Sequence, residues 1–358
     1  MSTSKYRIIS LDGGGVRGLI TAIMLQTIQK YFEDKRNEDF LESVNFLAGT
    51  STGGLLALAI AKERKSPDRV KLLDRVKNIY AHDSRQVFKK SIVNGALDGC
   101  GFVAAKYTNK PLRKKLEGIF GKDMLLGELS KRVLIPTFDL DNASNHPEKR
   151  YWKPKLFHNF DVNNDPGKEQ KEDNEDKKTK VNEDKKTKVV EAGLCTTAAP
   201  TFFPSVNGYI DGGVYANNPS MCAIAQTQDQ RYYPRQEPDK RKVALSDIVM
   251  LSIGTGLNLK YKDELINREG IVQWVNPLIQ IMFDGTTGIG DYQCGQMLTK
   301  HQYRRLNPTF ISRHNKPRYV GMDAADEETI NYMTQVTEDY MQSETFTNTL
   351  DWMNQHWF

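Results

Sequence analysis

Three stretches of the sequence bring together the residue types that transfer of an acyl group requires. In ISLDGGGVRGLI, Ile9 to Ile20, Gly13, Gly14 and Gly15 stand between an apolar run and a helix-like run. The spacing Gly13-x-Gly15-x-x-Gly18 fits the phosphate loop of a dinucleotide site, where bare glycines let a phosphate approach a helix N-terminus. Converging backbone N–H groups serve an oxyanion hole equally well, and the loop by itself does not separate the two. In GTSTG, Gly49 to Gly53, the pattern G-x-S-x-G is that of a nucleophile elbow. The flanking Gly49 and Gly53 permit the sharp turn, which selects Ser51 over the neighbouring Thr50 and Thr52.

A serine hydroxyl needs a base to take its proton. The six histidines, His82, His146, His158, His301, His314 and His356, lie in polar or charged stretches without turn glycines, and each reads as a surface residue. The third stretch, GYIDGGVYANNP from Gly208 to Pro219, offers Asp211 at the end of a short apolar segment, followed by Gly212 and Gly213. That carboxylate is a candidate base reaching Ser51 across a sheet edge, yet Asp-Gly-Gly is also an ordinary turn.

These residues need elements to hold them. Tyr6 to Leu11 reads as a buried strand and Leu19 to Phe32 as a helix, so the first glycine loop is a strand-to-helix turn. The grammar repeats with a strand over Ser43 to Ala48, the GTSTGG turn, and a helix over Leu55 to Glu63. Further strands are expected at Arg132 to Leu140 and Asp247 to Thr255. Alternating strands and helices predict an α/β fold with a mainly parallel central sheet covered on both faces. The expected division is a catalytic α/β domain over 1–260 and a mostly helical region over 261–358 packed on it. Within the latter, Gly270 to Phe283 reads as a buried helix, or as a lid over an acyl cleft, kinked at Pro277.

The octapeptide NEDKKTKV occurs at Asn174 to Val181 and again at Asn182 to Val189. Such dense charge cannot bury a core, so the region near 163–189 is expected to be a solvated insertion. Composition excludes several classes. Hydrophobic residues make up 39%, charged residues 27%, and the formal net charge is +5. No apolar run approaches the ~20 residues that span a bilayer, and the N-terminus carries no secretory pattern, so a cytoplasmic location is expected. The four cysteines have no C-x-x-C pair, and neither they nor the histidines form a metal-ligand set, so neither metal nor cofactor is expected. Basic residues interleave with acids and no RNP or zinc-finger pattern occurs, which argues against DNA or RNA as a partner.

Together DGGGVRG (Asp12 to Gly18), GTSTGG (Gly49 to Gly54), AAPTFFP (Ala198 to Pro204) and DGGVYANNP (Asp211 to Pro219) resemble the patatin-like phospholipase family, in family order, over about residues 6 to 256. The resemblance implies a three-layer α/β/α sandwich and a serine lipid acyl hydrolase. It implies Ser51 as nucleophile, Asp211 as its partner in a Ser-Asp dyad without histidine, and Gly13, Gly14 and Gly15 as oxyanion donors. Arg17 would steady that loop or the developing charge. The substrate implied is a membrane phospholipid met by peripheral contact at the inner membrane face, and subunit number is open, a homo-oligomer included.

The compact form also resembles bacterial anti-phage effectors of the family that are switched on by cyclic dinucleotides, and plant storage patatins. Were such a nucleotide to bind, Tyr303, Arg304 and Arg305, with Phe310, Arg313, Arg318 and Tyr319, would suit phosphate pairing and base stacking; the plain alternative is a solvated basic loop. Three other functions compete: a dinucleotide-dependent enzyme, a lipid or nucleotide sensor using the glycine loop without catalysis, and a peptidase. The first lacks an acidic residue ending a second strand, since Glu38 and Asp39 precede SVNFLA.

Overall fold

The computed structural model describes residues 5–63, 66–89, 105–162, 182–233, 243–259, 271–311 and 316–358. Nine strands form among them: β1 Tyr6–Leu11, β2 Phe46–Gly49, β3 Arg132–Asp139, β4 Lys153–His158, β5 Asp161–Val162, β6 Tyr209–Asp211, β7 Tyr232–Tyr233, β8 Ile248–Ile253 and β9 Tyr303–Leu306. The longer helices are α1 Gly18–Arg36, α2 Thr52–Lys62, α3 Ser66–Asn78, α4 Lys110–Phe120, α5 Val189–Thr196, α6 Ser220–Gln228, α7 Ile271–Met297, α8 Glu327–Met341 and α9 Glu344–His356.

A seven-stranded sheet runs in the order β4-β3-β2-β1-β8-β9, with β6 added on β3, while β5 and β7 pair separately. The pairs β1–β2, β2–β3, β1–β8 and β8–β9 are parallel. Only β4 and β6 join antiparallel, both on β3. The mainly parallel α/β fold predicted above is what forms. Strand alternation divides the core between the two faces. Ile8, Phe46, Leu134 and Met250 pack with Ala223 and Ile224 of α6 and Cys294 of α7. Ile9, Leu47, Val133 and Leu251 pack on the opposite face with α1, α2 and the helices around them. Each such side chain, fully removed from water, contributes ~1.5–3 kcal/mol before entropy is counted.

The register positions the chemistry. Leu11 of β1 stands opposite both Gly49 of β2 and Ile253 of β8, so three parallel strands end level at one carboxyl edge. The glycine loop leaves that edge from β1 and the serine turn from β2, which makes them neighbours although the sequence separates them by a helix.

Three sequence expectations need correction. Tyr303, Arg304, Arg305 and Leu306 are no loop; they form a sheet strand parallel to β8, because Met250 to Ile253 would otherwise leave backbone groups unpaired on that side. The helix starting at Ile271 runs past Phe283 to Met297. The third concerns the repeat. Residues 163–181, including its first copy, lie outside the described residues. The second copy is folded: Asn182 is buried and donates to the carbonyls of His158 and Phe160, Lys185 pairs with Asp161, and Val189 enters the core. Its charges tolerate this because the inward ones are paired, Asp184 with Lys155 and Lys185 with Asp161, while Asn182 meets the carbonyls of His158 and Phe160.

Candidate active site

β2 ends at Gly49 and α2 begins at Thr52, leaving two residues to reverse the chain. Ser51 takes φ 53 and ψ −123, a left-handed region that a side-chain-bearing residue enters at a cost of about 1–3 kcal/mol. The turn is over-determined. A Cβ on Gly49 would lie 2.3 Å from the Gly53 carbonyl oxygen, and one on Gly53 would lie 2.3 Å from that of Leu11. The Ser51 N–H donates to Thr196 Oγ1 at 2.9 Å, and that hydroxyl donates in turn to the Pro136 carbonyl at 2.6 Å. Thr50 Oγ1 donates to the Ala216 carbonyl at 2.6 Å, so it points away from the reacting centre.

Asp211 arrives from the opposite direction. Along one edge of β3, β2 occupies Arg132 to Leu134 and the antiparallel β6 occupies Thr137 to Asp139. Both strands therefore end facing one another within a single column of the sheet. Close approach demands glycine next, since a Cβ on Gly212 would lie 2.4 Å from the Pro136 carbonyl. The carboxylate is 0% exposed; Oδ1 accepts from the Gly213 N–H at 2.8 Å, and Oδ2 has no hydrogen-bond partner. Burial pushes its pKa up to about 7, opposed by the adjacent Ser51 hydroxyl and the Gly213 N–H. The serine lies near enough to act on the carboxyl without an aligned hydrogen bond in this resting geometry.

The glycine loop differs from expectation at one position. Gly13 donates its N–H to the Asn217 carbonyl at 3.0 Å, which removes it from the set of oxyanion donors. Its task is structural, because a Cβ there would lie 2.2 Å from Asn217 Oδ1 and 3.2 Å from Ser51 Cβ. The N–H groups of Gly14 and Gly15 have no acceptor among the described residues. Gly15 needs its glycine twice over: φ is +61, and a Cβ would lie 2.2 Å from the Met322 carbonyl. Arg17 is buried behind the loop, with Nε donating to the Gly14 carbonyl at 3.3 Å and Nη1 unpartnered.

Two residues that hold this loop escaped the motif reading in that role. Asp12 is buried and takes a two-pronged ion pair from Arg305, whose Nη1 reaches Asp12 Oδ1 at 2.8 Å and Ser252 Oγ at 2.8 Å. Arg305 is thus committed to the loop's foot. Tyr303 donates its hydroxyl to Asp291 Oδ1 at 2.7 Å, and Arg304 lies over the Trp352 ring at 5.9 Å. All three belong to strand β9 of the sheet and not to a loop. His158 also departs from expectation. It is buried beside Asn182 with a pKa lowered by burial to about 4, and it sits on β4, away from the serine turn.

An apolar cleft opens over Ser51 and Asp211, walled by Leu55, Val87, Phe88, Phe202, Phe203 and Phe283 among others. The motif AAPTFFP finds its use here through Phe202 and Phe203. Phe283 brings α7 into the wall, packed against Gly213, where a Cβ would lie 2.9 Å from its ring. A serine turn, a buried carboxylate and an apolar channel together suit transfer of a long acyl group.

The family model for "Patatin-like phospholipase" matches residues 9–224, and the chain belongs to that family, which makes it a hydrolase of the phospholipase class. It is similar to "Patatin-like protein 2" of Oryza sativa subsp. indica, 28% identical over 332 residues that cover 82% of this chain and 73% of the relative. It is similar also to the "cGAMP-activated phospholipase" of Vibrio cholerae serotype O1, 27% identical over 271 residues, 70% of this chain and 64% of the relative. Among solved structures, VipD from Legionella pneumophila aligns with a TM-score of 0.34 and 11% identity over 94% of this chain and 67% of that one.

Proposed function

We propose that the protein hydrolyses fatty-acyl esters of membrane phospholipids, with Ser51 as nucleophile and Asp211 as its base. One observation carries the reading: a buried carboxylate with an unpartnered oxygen lies beside a serine held at positive φ, and both line the same apolar cleft. As Ser51 Oγ bonds to the ester carbonyl carbon, its proton passes to Asp211 and the carbonyl oxygen takes the negative charge. The N–H groups of Gly14 and Gly15 are free to receive that charge, and the buried guanidinium of Arg17 steadies the loop that carries them. Collapse breaks the ester C–O bond, Asp211 returns the proton to the departing alcohol, and an acyl-serine remains. Water, deprotonated by Asp211, then releases the fatty acid and restores the hydroxyl. A base with a pKa near 7 suits this exchange at neutral pH.

A fluorophosphonate probe should label Ser51 covalently, and the Ser51→Ala protein should fold yet release no fatty acid from phospholipid vesicles. Release retained by that variant sinks the mechanism.

Activation by a cyclic dinucleotide is the regulatory part of the reading, supported by relatives named for activation by cGAMP. Fatty-acid release measured with and without a panel of cyclic dinucleotides tests it. Absence of stimulation by every member removes this part and leaves the hydrolase standing.

A further inference from the structure

The helix α7 has two unlike faces. Phe283 and Cys294 are buried, and Thr286 and Thr287 turn to Asn217 beside the catalytic turn. The outward face carries Leu278, Ile281, Met282, Ile289 and Tyr292 at helical spacing, joined by Gly285 and Gly288, with exposed Asp284 at the border of that stripe. Ile281 and Ile289 remain 50% and 51% exposed, which a water-facing surface gives no reason to favour. A second apolar feature rises from the same edge of the sheet. The connection from β3 to β4 leaves β3 at its carboxyl end, the end at which β2 delivers Ser51. On it Trp152 is 71% and Tyr151 58% exposed, next to Lys149, Arg150 and Lys153, with Lys153 Nζ 5.8 Å from the Tyr151 ring centre. Aromatic rings flanked by cations are the side chains that settle at the boundary of lipid and water.

We propose that the outward stripe of α7 and the Tyr151–Trp152 tip form one docking surface that seats the protein on a phospholipid bilayer with the cleft mouth against the lipid. The occupant follows from continuity: α7 carries the exposed stripe and also puts Phe283 into the wall of the acyl cleft, so an acyl chain can pass from bilayer to Ser51 without crossing water. Lys149 and Lys153 beside Trp152 complement anionic headgroups, while Arg150 is paired with Asp141. The inference rests on the phospholipase reading, although its test does not depend on turnover.

The experiment is co-sedimentation of the Ser51→Ala protein with sucrose-loaded vesicles of phosphatidylcholine and phosphatidylglycerol, compared with Ile281→Asp/Ile289→Asp and Trp152→Asp added to that background. Each should lower the bound fraction about tenfold or more. With Ser51 restored, the same changes should reduce hydrolysis of vesicles while hydrolysis of a soluble short-chain ester stays as in the parent. Unchanged sedimentation in either variant overturns the surface as drawn. A parent that is dimeric by analytical ultracentrifugation, and that becomes monomeric in the Ile281→Asp/Ile289→Asp form with vesicle binding intact, assigns the stripe to a second copy and overturns it too. Loss of ester hydrolysis in the parent would instead strike at the phospholipase reading and leave the sedimentation result to stand alone.

Discussion

Ser51 and Asp211 stand at the facing carboxyl ends of β2 and β6, two strands that run in opposite directions along the same edge of β3. Neither strand covers the full length of that edge, and the two residues occupy the interval between them.

The strain at Ser51 should be measurable. Glycine adopts φ 53 without the steric cost that a side chain meets, so Ser51→Gly should be more stable than Ser51→Ala by about 1 kcal/mol, with both inactive. Urea unfolding of the two variants is the comparison; equal midpoints would mean that the turn stores no strain.

The pH profile should report Asp211. As the base must be ionised, kcat/KM on a soluble ester should rise with pH through a midpoint near 7 and level off above it. A flat profile between pH 5 and 9 would assign the base elsewhere.

The same carboxyl should make stability pH-dependent. Its folded pKa of about 7 lies above the ordinary 3.8, so the folded state holds a proton that the unfolded chain has released between these values. Its contribution is therefore fully present below pH ~4 and lost as pH rises through 7, on the order of 4 kcal/mol at most. Asp211→Asn removes this dependence. Thermal unfolding should show the variant gaining on the parent from pH 5 to pH 8, and a constant difference would refute the buried titration.

Arg305 should behave as a structural residue. Its removal in Arg305→Ala strands the buried Asp12, which costs about 3–5 kcal/mol. Adding Asp12→Ala should recover part of the loss in a double-mutant cycle read by urea denaturation, whereas additive losses would show that the pair is not coupled.

The oxyanion assignment separates neighbouring glycines. Gly14→Ala places a methyl 2.2 Å from Thr255 Oγ1 and displaces a free donor, so turnover should fall ~10²–10³-fold. Ser51 should still react slowly with a fluorophosphonate in that variant, and turnover equal to the parent's would take Gly14 out of the hole.

Much of the framework was legible from local chemistry alone. Glycines were demanded wherever a strand turned sharply into a helix, so GGG, GTSTGG and DGG marked their turns, and strand-then-helix periodicity announced a parallel sheet around them. Ser51 stood out because its flanking glycines have no other common use at a strand end. The pairing of Asp12 with Arg305 could not be read, since 293 residues separate them and only the insertion of β9 beside β8 brings them together. The same strand insertion turned Tyr303, Arg304 and Arg305 from an apparent basic loop into sheet. Folding also gave the Gly13 N–H to Asn217 and buried Asn182 of the repeat's second copy, because hydrogen-bond partners are chosen by proximity in space. The sequence thus determined which residues are candidates for chemistry and how each turn bends. The tertiary structure alone decided which of those groups remain free to act, because a donor, a cation or an apolar helix face acquires its role from what packs against it.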